Sequence, residues 1–446
     1  MKLLHTLHSS PFTFHLKKLF KNSWFLALLL LGIFLATNGY IYGWDDQHVE
    51  IPLLKKLIDP TLYPNDYYVD ALKANFMSYL YPVLAKVITI PQIPTAYLLL
   101  YLLSRYFLFF FMFKIWKAIT KQEGLAFLCV LMTLLIGRVE EFLYRTFSHQ
   151  EFALALIFTG MYLFYKNRPL LAAVVLGIAA NIHALYSLFP MFYISVDLMR
   201  QKKWKDIIKS GLIFLAGALP FLIWAGKKII DGGTAAPAPP ASEWIPLYQL
   251  ACPQNFVFYN SSLAAVFSSW KNFWDGTGSY WLLATLTIIL TTSCRSFRED
   301  RRTQSVLIGG GILLILAFIF SYIWPSRFFL DLNLIRNSQY MLFFLMGYLI
   351  ILLWNLRTQH PWRFLLCLLA LPFIRFGMYQ ATLSVLIMGS VAGFPNLSQS
   401  GKTAQRLQAV CCFAIMLTAA GFLTSAMNHP YSSRTWWTLW TTEIGV

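Results

Sequence analysis

Apolar residues in this chain come in long runs, and polar breaks separate about thirteen of them. The runs are Ser23–Gly43, Pro94–Phe113, Leu125–Gly137, Phe152–Tyr165, Leu170–Ile182, Ala184–Leu198, Ser210–Ala225, Tyr280–Thr291, Val306–Ile323, Tyr340–Leu356, Phe364–Met378, Ala381–Phe394 and Leu407–Ala426. A helix needs about 20 apolar residues to cross a bilayer, with roughly 17 to 25 tolerated. The pattern therefore predicts an all-α, polytopic transmembrane bundle of about 11–13 helices forming one domain over 1–446. The third to sixth runs are shorter than a full span, which predicts a thinned or cavity-bearing bundle.

The segments between runs are unequal. The stretch 44–93 opens with acidic residues and continues with Val49, Ile51, Leu53, Leu54, Leu57 and Ile58 at helical spacing. After the turn residues Asp59-Pro60 and Tyr63-Pro64-Asn65-Asp66, a second amphipathic stretch runs from Tyr67 to Ile90. Two juxtamembrane helices lying on the membrane surface are expected there. The stretch 226–279 carries Lys227-Lys228, a Pro/Gly-rich run after Asp231, and aromatics from Trp244 to Trp274. It reads as a substrate-dependent lid or as a plain connection. A Trp-rich tail, 427–446, holds Trp436, Trp437 and Trp440. No internal repeat is evident by eye.

Composition narrows the class. With 58% hydrophobic and 12% charged residues, the chain is too apolar for an average soluble globule. The net charge of +17 raises the question of nucleic acid, and its distribution answers it. Threading the runs with the N-terminus in the cytoplasm puts about 22 of the 36 Lys and Arg in loops on that side. The expectation is a multi-pass protein of a bacterial cytoplasmic (inner) membrane, N-terminus in and C-terminus out, surrounded by membrane lipids and binding no nucleic acid. Its first run, lacking a small-residue cleavage site, reads as an uncleaved helix. The six cysteines, only Cys252 of them in an outer loop, imply no disulfide framework.

The two large loops then lie outside, and charge in so apolar a chain is where chemistry is sought. Asp45-Asp46 follow the first run, with His48 and Glu50 after them. Such carboxylates bind a divalent ion, act as a general base or solvate the loop; the pair reads as functional, Asp66 and Asp70 as solvating. A second group spans Arg138, Glu140, Glu141, Arg145, His149 and Glu151, and reads either as a phosphate clamp with a second acidic group or as a salt-bridged loop. Asn181-Ile182-His183 form the third, where a lone His is more often a packing residue. Arg327, Asp331, Arg336 and Asn337 form the fourth, suited to phosphate oxygens or to anchoring on lipid headgroups.

The acidic pair after the first helix, the long outer loop with amphipathic stretches, the short third to sixth helices and the basic site near a later outer loop together resemble the GT-C glycosyltransferases. The stretch from Ser148-His149-Gln150-Glu151-Phe152 to Asn181-Ile182-His183 looks like bacterial membrane proteins of that superfamily. The resemblance implies transfer of a sugar from a polyprenyl-phosphate donor, a lipid-linked cosubstrate, to a glycan, lipid or protein acceptor on the outer face. It implies Asp46 or Asp45 as general base with inversion at the anomeric carbon; with Asp46 as the base, Asp45 is its partner or a ligand of a metal or sugar hydroxyl. It places Arg138, Arg145, His149, Glu151, His183, Arg327 and Arg336 among the substrate and phosphate contacts, with Asp46 and Glu141 as divalent-metal ligands if a metal is used. The large C-terminal soluble domain of some relatives is not expected. The competing reading is a transporter or flippase of a lipid-linked or anionic substrate, which would use charges such as Arg105 inside the second run. A third reading is a non-catalytic assembly factor in which the Asp pair only ends a helix.

Overall fold

The structure, a computed structural model, describes residues 22–232, 240–375 and 377–393. The thirteenth run, the Trp-rich tail, Cys411, Cys412 and the Pro/Gly-rich stretch 233–239 lie outside the described residues. Within those residues there is helix and no strand.

Seventeen helices of eight residues or more are labelled here. They are α1 (Ser23–Asn38), α2 (Gln47–Ile58), α3 (Tyr67–Asn75), α4 (Leu80–Val87), α5 (Ile93–Thr120), α6 (Glu123–Ile136), α7 (His149–Tyr165), α8 (Pro169–Ala180) and α9 (Ala184–Arg200). There follow α10 (Trp204–Gly217), α11 (Leu219–Gly232), α12 (Ala241–Ala251), α13 (Trp270–Ser293), α14 (Arg301–Phe318), α15 (Ser338–Gln359), α16 (Pro361–Ala370) and α17 (Met378–Gly393).

Local chemistry sets many of these ends. Asn22, Asp66 and Asp300 accept hydrogen bonds from the first free N–H groups of α1, α3 and α14. Pro169 starts α8, where its missing N–H costs nothing. Gly39, at φ +75°, turns the chain out of α1.

Among the described residues, three helical stretches are long and apolar enough to cross a membrane: Ile90–Thr120, Arg301–Ile323 and Arg327–Gln359. They mark a membrane protein. The expectation of about thirteen spans is not met on this measure. Helices α1, α6, α8 and α17 are apolar but short, and 12 residues of α8 reach only about 18 Å at 1.5 Å per residue. The seventh run is two helices, α10 and α11, bent by 73°. Pro220 cannot donate to the ladder at the break, and the Phe221 N–H goes instead to the Asn181 side chain (3.0 Å). The eleventh run likewise breaks after Ala370 into a 3₁₀ turn, Leu371–Arg375. The second amphipathic stretch is also divided, giving α3 and α4 in place of one helix; the Tyr79 N–H bonds to the Asn181 carbonyl (3.0 Å) where α4 begins.

The chain divides into two compact units, one from 22–134, 139–261 and 300–347, the other from 135–138, 262–299 and 348–393. In the first, α5 packs on α1 and α7, α8 on α7, α9 and α10, and α9 on α14. Its interior is aromatic: Trp116, Phe158, Tyr340, Phe343 and Phe344 meet edge-on, tilted or, for Phe158 and Tyr340, stacked. Between lipid-embedded helices such close packing, and not exclusion of water, supplies the attraction. In the second unit α13 and α16 pack on α17.

Candidate active site

The first unit gathers the charged loops, and the floor beneath them comes first. Arg105 of α5 is fully buried between the rings of Phe34 and Tyr101, 5.5 and 5.2 Å from their centroids. It donates to the carbonyls of Phe142 and of Tyr144 (2.5 Å) and lies 3.6 Å from the buried Glu151 carboxylate. Glu151 in turn closes the capping box of α7, accepting from the Ser148 N–H (2.7 Å) and hydroxyl (2.5 Å). Gln150 donates to the Glu141 carbonyl (2.8 Å). A loop that would otherwise carry unpaired carbonyls at depth is thus satisfied residue by residue.

The loop before α2 is stitched to it. Gln47, fully buried, accepts from the Gly43 N–H (2.6 Å) and donates to the Phe147 carbonyl (2.8 Å), while the Ile41 N–H donates to the Arg145 carbonyl (2.9 Å). Asp45 and Asp46 stand exposed at the rim so formed. Asp45 holds φ +57°, a left-handed conformation that Asp tolerates better than most residues. Partial burial and the neighbouring Asp46 charge push its carboxyl above the usual range, and Glu141 adds to the effect.

Glu141 accepts from the Tyr186 hydroxyl (2.7 Å) and lies 3.8 Å from Arg336 Nε. The Arg336 guanidinium covers the Tyr186 ring at 5.9 Å. Deeper in, Glu50 of α2 contacts His149 Nδ1 at 2.7 Å. Burial raises the Glu50 carboxyl, and His149 pulls it back down. The His149 ring stacks on His183 at 5.0 Å and 8°, with Phe76 edge-on at 4.9 Å. Burial first, and then the neighbouring His149 and Arg336, hold the His183 imidazole well below its ordinary range, which leaves it neutral near pH 7.

Of the residues the sequence singled out, Asp45, Asp46, Glu141, His149, His183 and Arg336 come together. Arg145 lies close by, its Nη2 over Gly39, where an added Cβ would sit 3.8 Å away. Two of the first unit's residues do not join them in a substrate-facing role. Glu151 is 1% exposed and turned inward as cap and counter-charge, because the α7 N-terminus needs an acceptor there. Arg327 is exposed and lies 3.9 Å from Asp331, one helical turn on. Arg138 belongs to the second unit, where it donates to the Arg375 carbonyl (3.2 Å). Among the described residues no three His, Cys, Asp or Glu are gathered as a metal ion would require, so the expected pairing of Asp46 with Glu141 at a metal gains no support.

Sequence reasoning counted Glu50 among the carboxylates of the acidic opening without a separate role, gave Gln47 none, and passed over Tyr186. For the first two a signal existed: Gln47, Glu50, Ile51 and Leu54 are spaced i, i+3, i+4, i+7, and all are buried. A carboxylate on the inward stripe of an amphipathic helix has to find a partner.

Chemically the rim offers a carboxylate pair, of which Asp45 has its carboxyl raised, and a half-buried guanidinium fixed by an aromatic ring and a carboxylate. Against known protein families, characterised proteins and solved structures, the chain matches none.

Proposed function

We propose that this protein is a membrane glycosyltransferase of GT-C type, transferring a sugar from a polyprenyl-phosphate donor to a hydroxyl acceptor on the outer face of the membrane. The observation that carries the reading is Asp45, exposed, left-handed and with a raised carboxyl, beside Asp46 and near Glu141. General-base catalysis is most effective when the base's pKa lies near the working pH, and non-glycine residues in this backbone region cluster at functional sites. Asp45 is therefore the preferred base of the two, with Asp46 as its partner.

A polyprenyl phosphate is a good leaving group whose tail stays in lipid, so the enzyme needs a cation at headgroup height beside a carboxylate at the aqueous rim. The carboxylate takes the acceptor's proton as its oxygen bonds to the anomeric carbon; the carbon–phosphate-oxygen bond breaks and the phosphate leaves with the electron pair. Arg336 meets that developing charge, with Arg145 in support. One displacement inverts the anomeric carbon. In this reading the rim faces the non-cytoplasmic side, with the N-terminus inside, as the basic loops require. Arg105, on which a transporter reading leans, is taken up in holding the 139–148 loop.

The test is transfer of radiolabel from a panel of polyprenyl-phosphate sugars to an envelope acceptor fraction by the purified, reconstituted protein, wild type against Asp45→Asn and Asp46→Asn. Loss of about 10²-fold or more in Asp45→Asn, with donor binding kept, supports the assignment. Undiminished transfer in both variants removes the base, and movement of an intact lipid-linked substrate between leaflets without transfer replaces the enzyme with a transporter.

A further inference from the structure

A second polar site lies in the first unit, away from the residues just described. Helices α7 and α8 are joined at residues 166–168 and α9 and α10 at residues 201–203, and the start of α14 lies against both turns. Between them is a cavity of about 450 Å³ lined by Arg168, Lys203, Arg302, Asp197 and Asp206 together with apolar side chains.

The charges in it are not balanced. Asp197 is nearly fully buried and committed: it accepts from Arg301 (2.9 Å), Gln201 (2.6 Å) and Ser305 (3.2 Å). Arg302 is braced by Asn167 (3.1 Å) and by the Phe164 ring at 5.9 Å. Arg168 and Lys203 are exposed, and among the described residues neither side chain has an ion-pair or hydrogen-bond partner. Three cations therefore face a pocket whose one uncommitted carboxylate is Asp206.

Two apolar stripes begin at or beside the pocket's basic residues. Leu171, Val174 and Ile178 are exposed along α8, and Trp204, Ile208, Leu212 and Leu215 along α10. The two helices touch closely: a Cβ at Gly177 would come 2.6 Å from the Phe214 carbonyl oxygen, so the stripes flank one tight seam. Leu171, next to Arg168 in the pocket wall, and Trp204, next to Lys203, join cationic end to apolar face within one turn of helix. Trp at such a junction is the usual mark of headgroup depth.

We infer that this pocket binds the phosphate headgroup of an anionic membrane lipid, with Arg168, Lys203 and Arg302 on the phosphate oxygens and the acyl chains laid along the α8 and α10 stripes. A soluble phosphate ester would use the same cations but would leave the stripes uncovered. The committed ligand is the lipid because charge and apolar surface meet at one edge.

The experiment uses the full chain in phosphatidylcholine nanodiscs doped with phosphatidylglycerol. Lipid retained after mild detergent washing is counted by native mass spectrometry. Wild type is compared with Arg168→Gln/Lys203→Gln and with Lys202→Gln/Lys205→Gln, which removes equal charge on either side of Lys203 at residues that do not line the pocket. Retained phosphatidylglycerol should fall about tenfold in the first variant and by less than about twofold in the second. Lys203→Arg should retain it, separating loss of charge from loss of fold. Equal losses in both double variants reduce the effect to surface charge, and equal retention of phosphatidylcholine removes the headgroup preference; either overturns the inference. Displacement of the lipid by millimolar glycerol phosphate would transfer the site to a soluble ester and overturn the lipid assignment.

Discussion

Two sets of charges act on the loop 139–148, and they are held in opposite ways. Arg105 and Glu151 are sealed in, each taken up by backbone or side-chain partners. Asp45 and Asp46 stand in the open, one of them in a left-handed conformation and with a raised carboxyl. In an apolar chain both sets stand out equally as unexpected charge. The difference between them is that the first contributes to stability and leaves no group facing a ligand, while the second contributes little to stability and faces solvent. A residue whose loss unfolds the protein and a residue whose loss silences it should therefore fall on different sides of this division.

The largest effect is expected at the floor. Arg105→Met keeps much of the volume but leaves Glu151 buried without its counter-charge and takes the charged donor from the Phe142 and Tyr144 carbonyls, of which the latter keeps the Tyr101 hydroxyl (3.2 Å). Breaking a buried pair in this way costs about 3–5 kcal/mol. Denaturation of the detergent-solubilised variant should expose it as a large drop in midpoint, and Arg105→Met/Glu151→Gln should recover part of the loss. If Arg105→Met is as stable as Asp45→Asn, the division between floor and rim is wrong.

Gln47→Ala comes next. It removes the hydrogen bonds that tie the Gly43 N–H and the Phe147 carbonyl together inside the protein, a loss of about 1–3 kcal/mol. Because those bonds join the rim to the floor, hydrogen exchange should quicken at 39–46 more than in α5. Uniform quickening would mean that Gln47 supports the whole bundle and not the seam.

How much of this was legible beforehand depends on what kind of signal each feature leaves. Helical runs were readable because apolar composition is enough to recognise them, and α9 starts at Ala184, as its run does. The break between α10 and α11 was hidden because Leu219, Pro220 and Phe221 are all apolar, and hydropathy does not register a missing N–H. At the site, Asp45, Asp46, Glu141, His149, His183 and Arg336 were visible as charge and imidazole in an oily chain. Arg327 and Arg336 look alike in sequence and differ in outcome. A turn with Asn333 at φ +44° separates them, leaving Arg336 beside Glu141 and Arg327 in the open. Glu50 was visible as one more carboxylate of the acidic opening, and only the helical spacing of Gln47, Glu50, Ile51 and Leu54 marks it as turned inward.

The pH dependence of stability tests the intermediate layer, Glu50 with His149 and His183. Burial raises the Glu50 carboxyl, so the folded state holds that proton to higher pH than the unfolded chain, and stability falls as pH rises from about 4.3 toward the raised value. For His183 the shift is downward; the unfolded chain takes up the proton first, and stability falls as pH drops below about 6.5. Glu50→Gln should flatten the first limb of the stability–pH curve and His183→Phe the second. A curve unchanged by both substitutions would mean that neither group is held as its surroundings indicate.

Asp45→Gly is where the smallest change in stability should accompany a large change in function. A left-handed conformation costs a non-glycine residue about 1–2 kcal/mol, which glycine relieves, but glycine also gives the unfolded chain more freedom, at about 0.5–1 kcal/mol. The two nearly cancel, and no hydrogen bond of the floor network is touched. Stability should therefore stay within about 0.5–1 kcal/mol of wild type, on the gaining side, while sugar transfer falls as far as in Asp45→Asn. Retained transfer would make the left-handed turn a device for ending a helix and nothing more, and would leave the rim without its base. A clear loss of stability would move Asp45 to the floor's side of the division, since a strained residue that nonetheless stabilises must be paired in a way its exposure does not reveal.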